Sequence, residues 1–370
     1  MYLETLRLIN FKNYKSIVFH FNKEINCLVG ENGVGKTNVL DAIYYLSLAK
    51  SSFNISDNQL ICHNESFFSI QGNFLKEGHS KQIKCQVSLN NRKSIFINGD
   101  EYEKIRDHIG AFPVVLISPT DTDIIRGVSE NRRKFIDGII SQMDAVYLEN
   151  LLKYNHALKQ RNSLLKTAEG FAYLDLDLID SFDKIIIETG QAIYTAREKF
   201  ISKFVPKLVH RYANISDEKE KISIKYQSDL NMNTDFRKLL KDSLTRDVIL
   251  GRTSRGIHRD DYNLEIDGYP MKKFASQGQQ KSLIISLKIA QFDMMREERG
   301  FKPIILMDDV FDKLDDQRIR KIMSLVAGHT FGQIFVTDAR PERTLSIFES
   351  IQSEKSIFQI HDGTVNMLSS

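Results

Sequence analysis

The chain has 370 residues, 42% of them hydrophobic, and a formal net charge of only +3. On a prior of roughly 150 residues per domain this implies two units with a sizeable core, and the overall charge does not advertise a nucleic-acid partner, so any such case rests on local patches. No apolar run reaches the roughly 18 to 20 residues of a membrane span, and the first residues lack the layout of a signal peptide, so the expectation is a cytoplasmic protein without a membrane partner.

In chain order, residues 2–9 and 16–21 alternate apolar and polar with the period of strands. Residues 25–29 are continuously apolar, as in a strand buried on both faces, and Val39, Leu40, Ile43 and Leu46 follow at helical spacing. Short strands recur at 67–74, 83–89 and 94–97, with Asn98-Gly99 as a hairpin turn, and 113–117 is a second buried strand. From about 129 to 210 the pattern is helical, broken only near Glu169-Gly170 and with no proline before Pro206. Strand patterns return at 222–226 and 262–266, the latter ending in Asp267-Gly268. Cys27, Cys62 and Cys85 stand singly, so neither disulfides nor a zinc ribbon are expected.

Between the strand at 25–29 and the helix that follows lies Gly30-Glu31-Asn32-Gly33-Val34-Gly35-Lys36-Thr37, the pattern G-x-x-x-x-G-K-[ST] in its required context. The glycines let backbone N–H groups turn toward a polyphosphate at a helix N-terminus. Lys36 would reach the β- and γ-phosphates, the Thr37 hydroxyl would bind Mg²⁺, and the loop with Asn38 would hold ATP. Near the C-terminus, residues 303–307 form an apolar strand ending in Asp308 and Asp309, suited to Mg²⁺ coordination and to water activation respectively. Ser276-Gln277-Gly278-Gln279-Gln280 opens a helix with Leu283, Leu287, Ala290 and Met294 on one face. Ser276 with Gln279 fits a capping box; equally, a Ser hydroxyl and the Gly278 amide at a helix N-terminus make a second γ-phosphate grip.

The order of P-loop, Ser-x-Gly-Gln signature, acid-tipped strand and Asp312-Lys313-Leu314-Asp315 resembles the head of ABC-type ATPases of the SMC group. Ser118-Pro119, Asn131-Arg132-Arg133-Lys134, Gln160-Arg161-Asn162 and His258-Arg259-Asp260-Asp261, with the signature, resemble the RecF family along nearly the whole chain. The resemblance implies an α/β fold: an ABC-type ATPase head, with a P-loop sheet and an antiparallel β subdomain, carrying an inserted helical, partly coiled-coil lobe. The head would comprise 1–128 and 215–370, with its β-rich subdomain at about 66–110, and the lobe 129–214. It further implies a weak DNA-stimulated ATPase in which Lys36, Asp309 and Ser276 are catalytic, the signature of one subunit closes on ATP held by another, and the homodimer clamps double-stranded DNA near gaps. RecR, RecO and RecA would be partners, and the protein would associate with the nucleoid. Asp309 stands where such ATPases usually have Glu, Thr337-Asp338 where they have His, and Asn54 and Ile257 where the RecF family has Arg and Pro.

Arg126, Arg132, Arg133 and Lys134 cluster at the base of the helical stretch, and Lys199, Lys203 and Lys207 share one helix face. Each reads equally as a phosphate-tracking surface or as a solvated face, and the resemblance favours DNA. His258 and Arg259 lack an accompanying nucleophile or metal cluster and read as a brace for the signature helix or as part of a dimer face. Two competing functions remain at this level: a nucleotide-dependent docking protein without hydrolysis, and the motor subunit of a transporter.

Overall fold

The computed structural model describes residues 1–53, 55–89, 91–167, 174–216, 220–310, 319–321, 324, 330–340, 353–361 and 363–369. Asp312 to Asp315, Asn54 and the break near Glu169-Gly170 lie outside them. In chain order the first elements are β1 (Tyr2–Phe11), β2 (Tyr14–His20), β3 (Ile25–Val29), α1 (Lys36–Leu48), β4 (Phe67–Lys76), β5 (His79–Ser88), β6 (Asn91–Ile97), β7 (Asp100–Glu101) and β8 (Val114–Ile117). Then come α2 (Asp123–Arg126), α3 (Ser129–Met143), α4 (Ala145–Thr167), α5 (Leu176–Ser216), β9 (Ile222–Gln227), α6 (Phe236–Leu250), β10 (Asp261–Ile266), β11 (Tyr269–Pro270) and α7 (Met271–Phe274). The chain continues through α8 (Gln277–Arg299), β12 (Ile304–Met307), β13 (Ile334–Asp338), β14 (Lys355–His361) and β15 (Thr364–Ser369).

Two compact units result: residues 1–121 with 281–370, and residues 122–280. The first contains two six-stranded sheets. One, in the order β2-β1-β4-β5-β6-β7, is antiparallel and joins the opening hairpin to the β-rich stretch. Its hairpin turns carry the chemistry they need: Asn98 and Gly99 have φ of 52° and 97°, and Glu77-Gly78 makes a similar turn that its sequence signals less strongly. The other sheet has the order β15-β14-β3-β13-β12-β8 and is parallel except for β15. Every residue of β3, β12 and β13 is buried, which accounts for their unbroken apolar sequences. Val39, Leu40, Ala42, Ile43 and Leu46 of α1 share one core with Leu6 and Phe68 of the antiparallel sheet and with Leu28, Leu306 and Phe335 of the parallel one. A helix covered by a sheet on each side is buried nearly all round, and α1 buries Lys36, Asp41 and Ser47 along with its apolar residues.

The second unit is wider than the 129–214 helical span, because residues 122–128 and 215–280 pack with the helices. Gly190 of α5 shows the fit: a Cβ there would lie 2.7 Å from the Phe236 ring of α6 and 3.2 Å from Tyr154 of α4. The helix α5 runs for 41 residues and includes Pro206 at an exposed position. Two arginines, Arg161 and Arg197, rank among the largest fully buried side chains of the chain. Arg161 binds Asp183 at 2.7 Å, Asp247 at 2.8 Å and Thr253 at 2.8 Å. Arg197 binds Asp137 through Nε and Nη2 and Asp260 through Nη1 at 2.7 Å. Buried charge is tolerated only when paired and hydrogen-bonded, so these motif residues hold helices and strands together.

Candidate functional site

In a parallel sheet the carboxyl ends of neighbouring strands finish at one edge, which is where ligands bind in such folds. Val29 of β3 is registered against Asp338 of β13, and Met307 of β12 against Val336. The loop after β3, the acids after β12 and the end of β13 therefore converge within the first unit. Gly30 has φ of 151°, and a Cβ would meet the Ile360 carbonyl oxygen at 2.4 Å, so only glycine fits. Gly35 is the N-cap of α1 at φ 111° and provides no side chain to occupy the helix's first N–H groups. Lys36 is buried and its Nζ donates to the carbonyls of Gly30 and Glu31, both at 2.8 Å, which places a cation inside the loop. Glu31, Asn32 and Gly33 are exposed at its crest, while Val34 packs partly against the core.

Thr37 donates to Asp308 Oδ1 at 2.7 Å. A hydroxyl and a carboxylate at this separation are the hard oxygen donors that Mg²⁺ takes from a protein, and its remaining positions go to phosphate and water. Burial pushes the Asp308 carboxyl upward, against the hydrogen bonds from Thr37 and Thr337. A divalent cation would reverse that tendency by favouring the carboxylate. Asp309 follows at φ 46°, a backbone region that Asp tolerates better than most residues. Its N–H donates to Thr337 Oγ1 at 2.9 Å, and that same hydroxyl donates to Asp308 Oδ1 at 2.8 Å.

Thr337 was legible only as a departure from the expected His, and its role comes from the register that seats it beside Asp308. Sequence reasoning also missed Asn13 and Tyr14. Asn13 Nδ2 donates to Val34 O at 3.0 Å and its Oδ1 accepts from Asn38 at 2.8 Å, while Tyr14 OH donates to Gly35 O at 3.1 Å. The tight turn between β1 and β2 thus braces the loop. An Asn between two alternating segments was the available signal.

In the second unit, Ser276 and Gln277 are exposed at the start of α8. The capping box is present: Ser276 N–H donates to Gln279 Oε1 at 2.7 Å, and Gln279 N–H to Ser276 Oγ at 3.2 Å. Gly278 is part-buried in the first turn. Gln280 accepts from Arg126 Nε at 2.7 Å and donates to Ala275 O at 3.0 Å.

The basic residues divide sharply. Arg132 binds Asp261 through Nε at 2.7 Å and Nη2 at 3.0 Å, and Gly127 O through Nη1. Burial disfavours the Asp261 charge, but these bonds outweigh it and hold its pKa low. Arg133 donates to Asp260 O and Ser129. Lys134 pairs with Glu130 one turn away on the surface. Lys199 and Lys203, in contrast, are exposed on α5, with Lys207 partly buried beyond them. His258 sits in the same unit: its Nε2 donates to Thr253 O and its Nδ1 accepts from Tyr154 OH at 2.8 Å. Burial lowers its pKa to about 4. These bonds tie the segment to Thr253 and to Tyr154 of α4 within the unit.

The family model described as the RecF/RecN/SMC N-terminal domain matches residues 2–365. The DNA replication and repair protein RecF of Flavobacterium johnsoniae is 43% identical over 360 residues, covering 97% of this chain and all of that one. The RecF of Cytophaga hutchinsonii is 41% identical over 366 residues, covering 99% and 96%. The chain belongs to the RecF family. A solved recombination mediator protein RecF-ATP of the RecFOR pathway superposes with a TM-score of 0.89 at 31% identity, covering 100% of this chain and 98% of that one. The Smc head domain of Pyrococcus furiosus, at 19% identity and a TM-score of 0.56, shares the fold. The chain is therefore a RecF-family ATPase head of the SMC-like ABC type, in a family of DNA replication and repair proteins. Among the described residues no helix is long and apolar enough to cross a membrane.

Proposed function

We propose that the chain is an ATP-switched clamp for double-stranded DNA. ATP and Mg²⁺ bind at the sheet edge of one subunit, with Lys36 on the phosphates and Thr37 and Asp308 on the metal. The exposed Ser276 hydroxyl and the Gly278 amide of a second subunit complete the γ-phosphate shell. Asp309 orients the attacking water, and its side chain, one methylene shorter than Glu, gives slow turnover. The closed homodimer holds duplex DNA near a gap, with Lys199 and Lys203 tracking phosphates, and hydrolysis releases it. In the cell it would act with RecR and RecO to load RecA, in the cytoplasm and on the nucleoid.

The observation that carries this reading is the exposed signature serine at the N-terminus of α8. The solved relative with ATP supports the nucleotide assignment by likeness. Sedimentation of wild type, Lys36→Ala and Asp309→Asn with and without ATP and Mg²⁺, repeated with gapped duplex, tests it. ATP should drive wild type and Asp309→Asn to dimer and leave Lys36→Ala monomeric. A mass indifferent to ATP in all three would reduce Ser276 to a helix cap and leave a nucleotide-binding adaptor.

A further inference from the structure

The signature turn is joined to the long helix α5 by a chain of side-chain hydrogen bonds. Gln279, whose Oε1 closes the capping box, uses its Nε2 to donate to Glu220 Oε1 at 3.0 Å. The other carboxylate oxygen, Glu220 Oε2, accepts from Tyr212 OH at 3.2 Å. Tyr212 is 1% exposed on α5, so that end of the chain of bonds is packed with the helix and moves with it. Nine residues earlier on the same helix stands Lys203, about 14 Å away at the rise of an α-helix, and Lys199 is one turn beyond it.

We infer that Glu220 is a positioning residue that links α5 to the signature turn, so that duplex DNA held on the α5 lysines alters how Ser276 meets ATP. The inference rests on the clamp reading and adds its regulation. A carboxylate suits the role because each oxygen accepts one donor, one from each element, and the two bonds pull on a single rigid group. An amide cannot replace it, since one of its two positions would present N–H to another donor. Movement of Tyr212 with α5 therefore shifts Gln279, and Gln279 fixes both the Ser276 N–H and its Oγ. The coupling is reciprocal, so ATP also changes the affinity for DNA.

The test is ATP turnover and ATP affinity of the full chain, each with and without gapped duplex DNA, for wild type, Glu220→Gln and Tyr212→Phe. Tyr212→Phe keeps the ring in its packing and leaves the capping box untouched, so it breaks the link at the α5 end alone. Both variants should keep wild-type turnover without DNA while losing about fivefold or more of the DNA response, the scale of one coupling contact. The double variant should lose no more than either single one, because the links are in series. Retention of the DNA response in both variants overturns the inference, as does a parallel fall of turnover with and without DNA, which would mark a purely structural role. A wild type that ignores DNA altogether removes the clamp reading itself, and that failure is seen before any variant is made.

Discussion

The sheet edge of the first unit and the helical packing of the second both collect residues that the sequence groups into motifs, but they use them in opposite ways. At the edge, Gly30, Gly35, Lys36 and Thr37 lie in one local segment, with Lys36 donating to the carbonyls of Gly30 and Glu31 and Thr37 to Asp308. In the second unit, Arg132, Arg161 and Arg197 turn inward and are neutralised by Asp261, Asp183, Asp247, Asp137 and Asp260. The lesson is that a basic motif on a helix is a poor guide to a nucleic-acid surface until its acidic partners are known. Lys199 and Lys203, which carry weaker motif content, are exposed, as is Lys134 in its surface pair with Glu130.

The largest effect that would sharpen this contrast is expected at Arg197. Arg197→Met leaves Asp137 and Asp260 without their cation and should destabilise the chain by about 3–5 kcal/mol in urea unfolding. Lys134→Ala should change stability by less than about 0.5 kcal/mol. If the two variants unfold alike, the distinction between bracing and surface residues fails. At the sheet edge, Lys36→Ala should leave folding intact and weaken ATP binding about 100-fold or more, by calorimetry, as removal of a preorganised phosphate clamp does.

Thr337→Val probes whether the edge extends beyond the loop. It removes the donor to Asp308 and leaves the Asp309 N–H without its acceptor, at a cost of about 1–3 kcal/mol. Its signature should be a raised Mg²⁺ requirement for nucleotide binding, restored by Thr337→Ser. An unchanged Mg²⁺ titration would confine the site to Thr37 and Asp308.

His258 tests the brace by pH. Its folded pKa is lowered from 6.5 to about 4, so the neutral ring is the folded form and its contribution is complete above pH 6.5. As pH falls from 6.5 toward 4 the unfolded chain takes up the proton first, and stability should drop by up to about 1.4 kcal/mol per pH unit. His258→Gln should remove that part of the slope; a slope unchanged by the substitution would assign it to other groups. The smallest effect is at the surface. Lys199→Gln with Lys203→Gln should lower the salt slope of duplex binding by about one per lysine and leave Tm unchanged. Arg132→Gln should lower Tm instead. The reverse pattern would return the DNA surface to α3.

The sequence by itself determined the candidate nucleotide loop, because such a loop is local: its glycines, lysine and threonine are neighbours in the chain. It also determined β3 and β12 as strands, since strands buried on both faces must be apolar throughout. Three things were decided only by tertiary structure. The extent of the second unit depended on β9, β10 and α6 packing on the helices; Thr337 met Asp308 through strand register; and Asn13 reached the loop across the β1–β2 turn. Pairings of that kind join residues 21, 29 and 129 positions apart, as in Asn13 with Val34, Thr337 with Asp308 and Arg132 with Asp261. No local propensity records which distant acid a buried arginine will meet. That choice is made by the cost of leaving either charge unpaired once the core has closed.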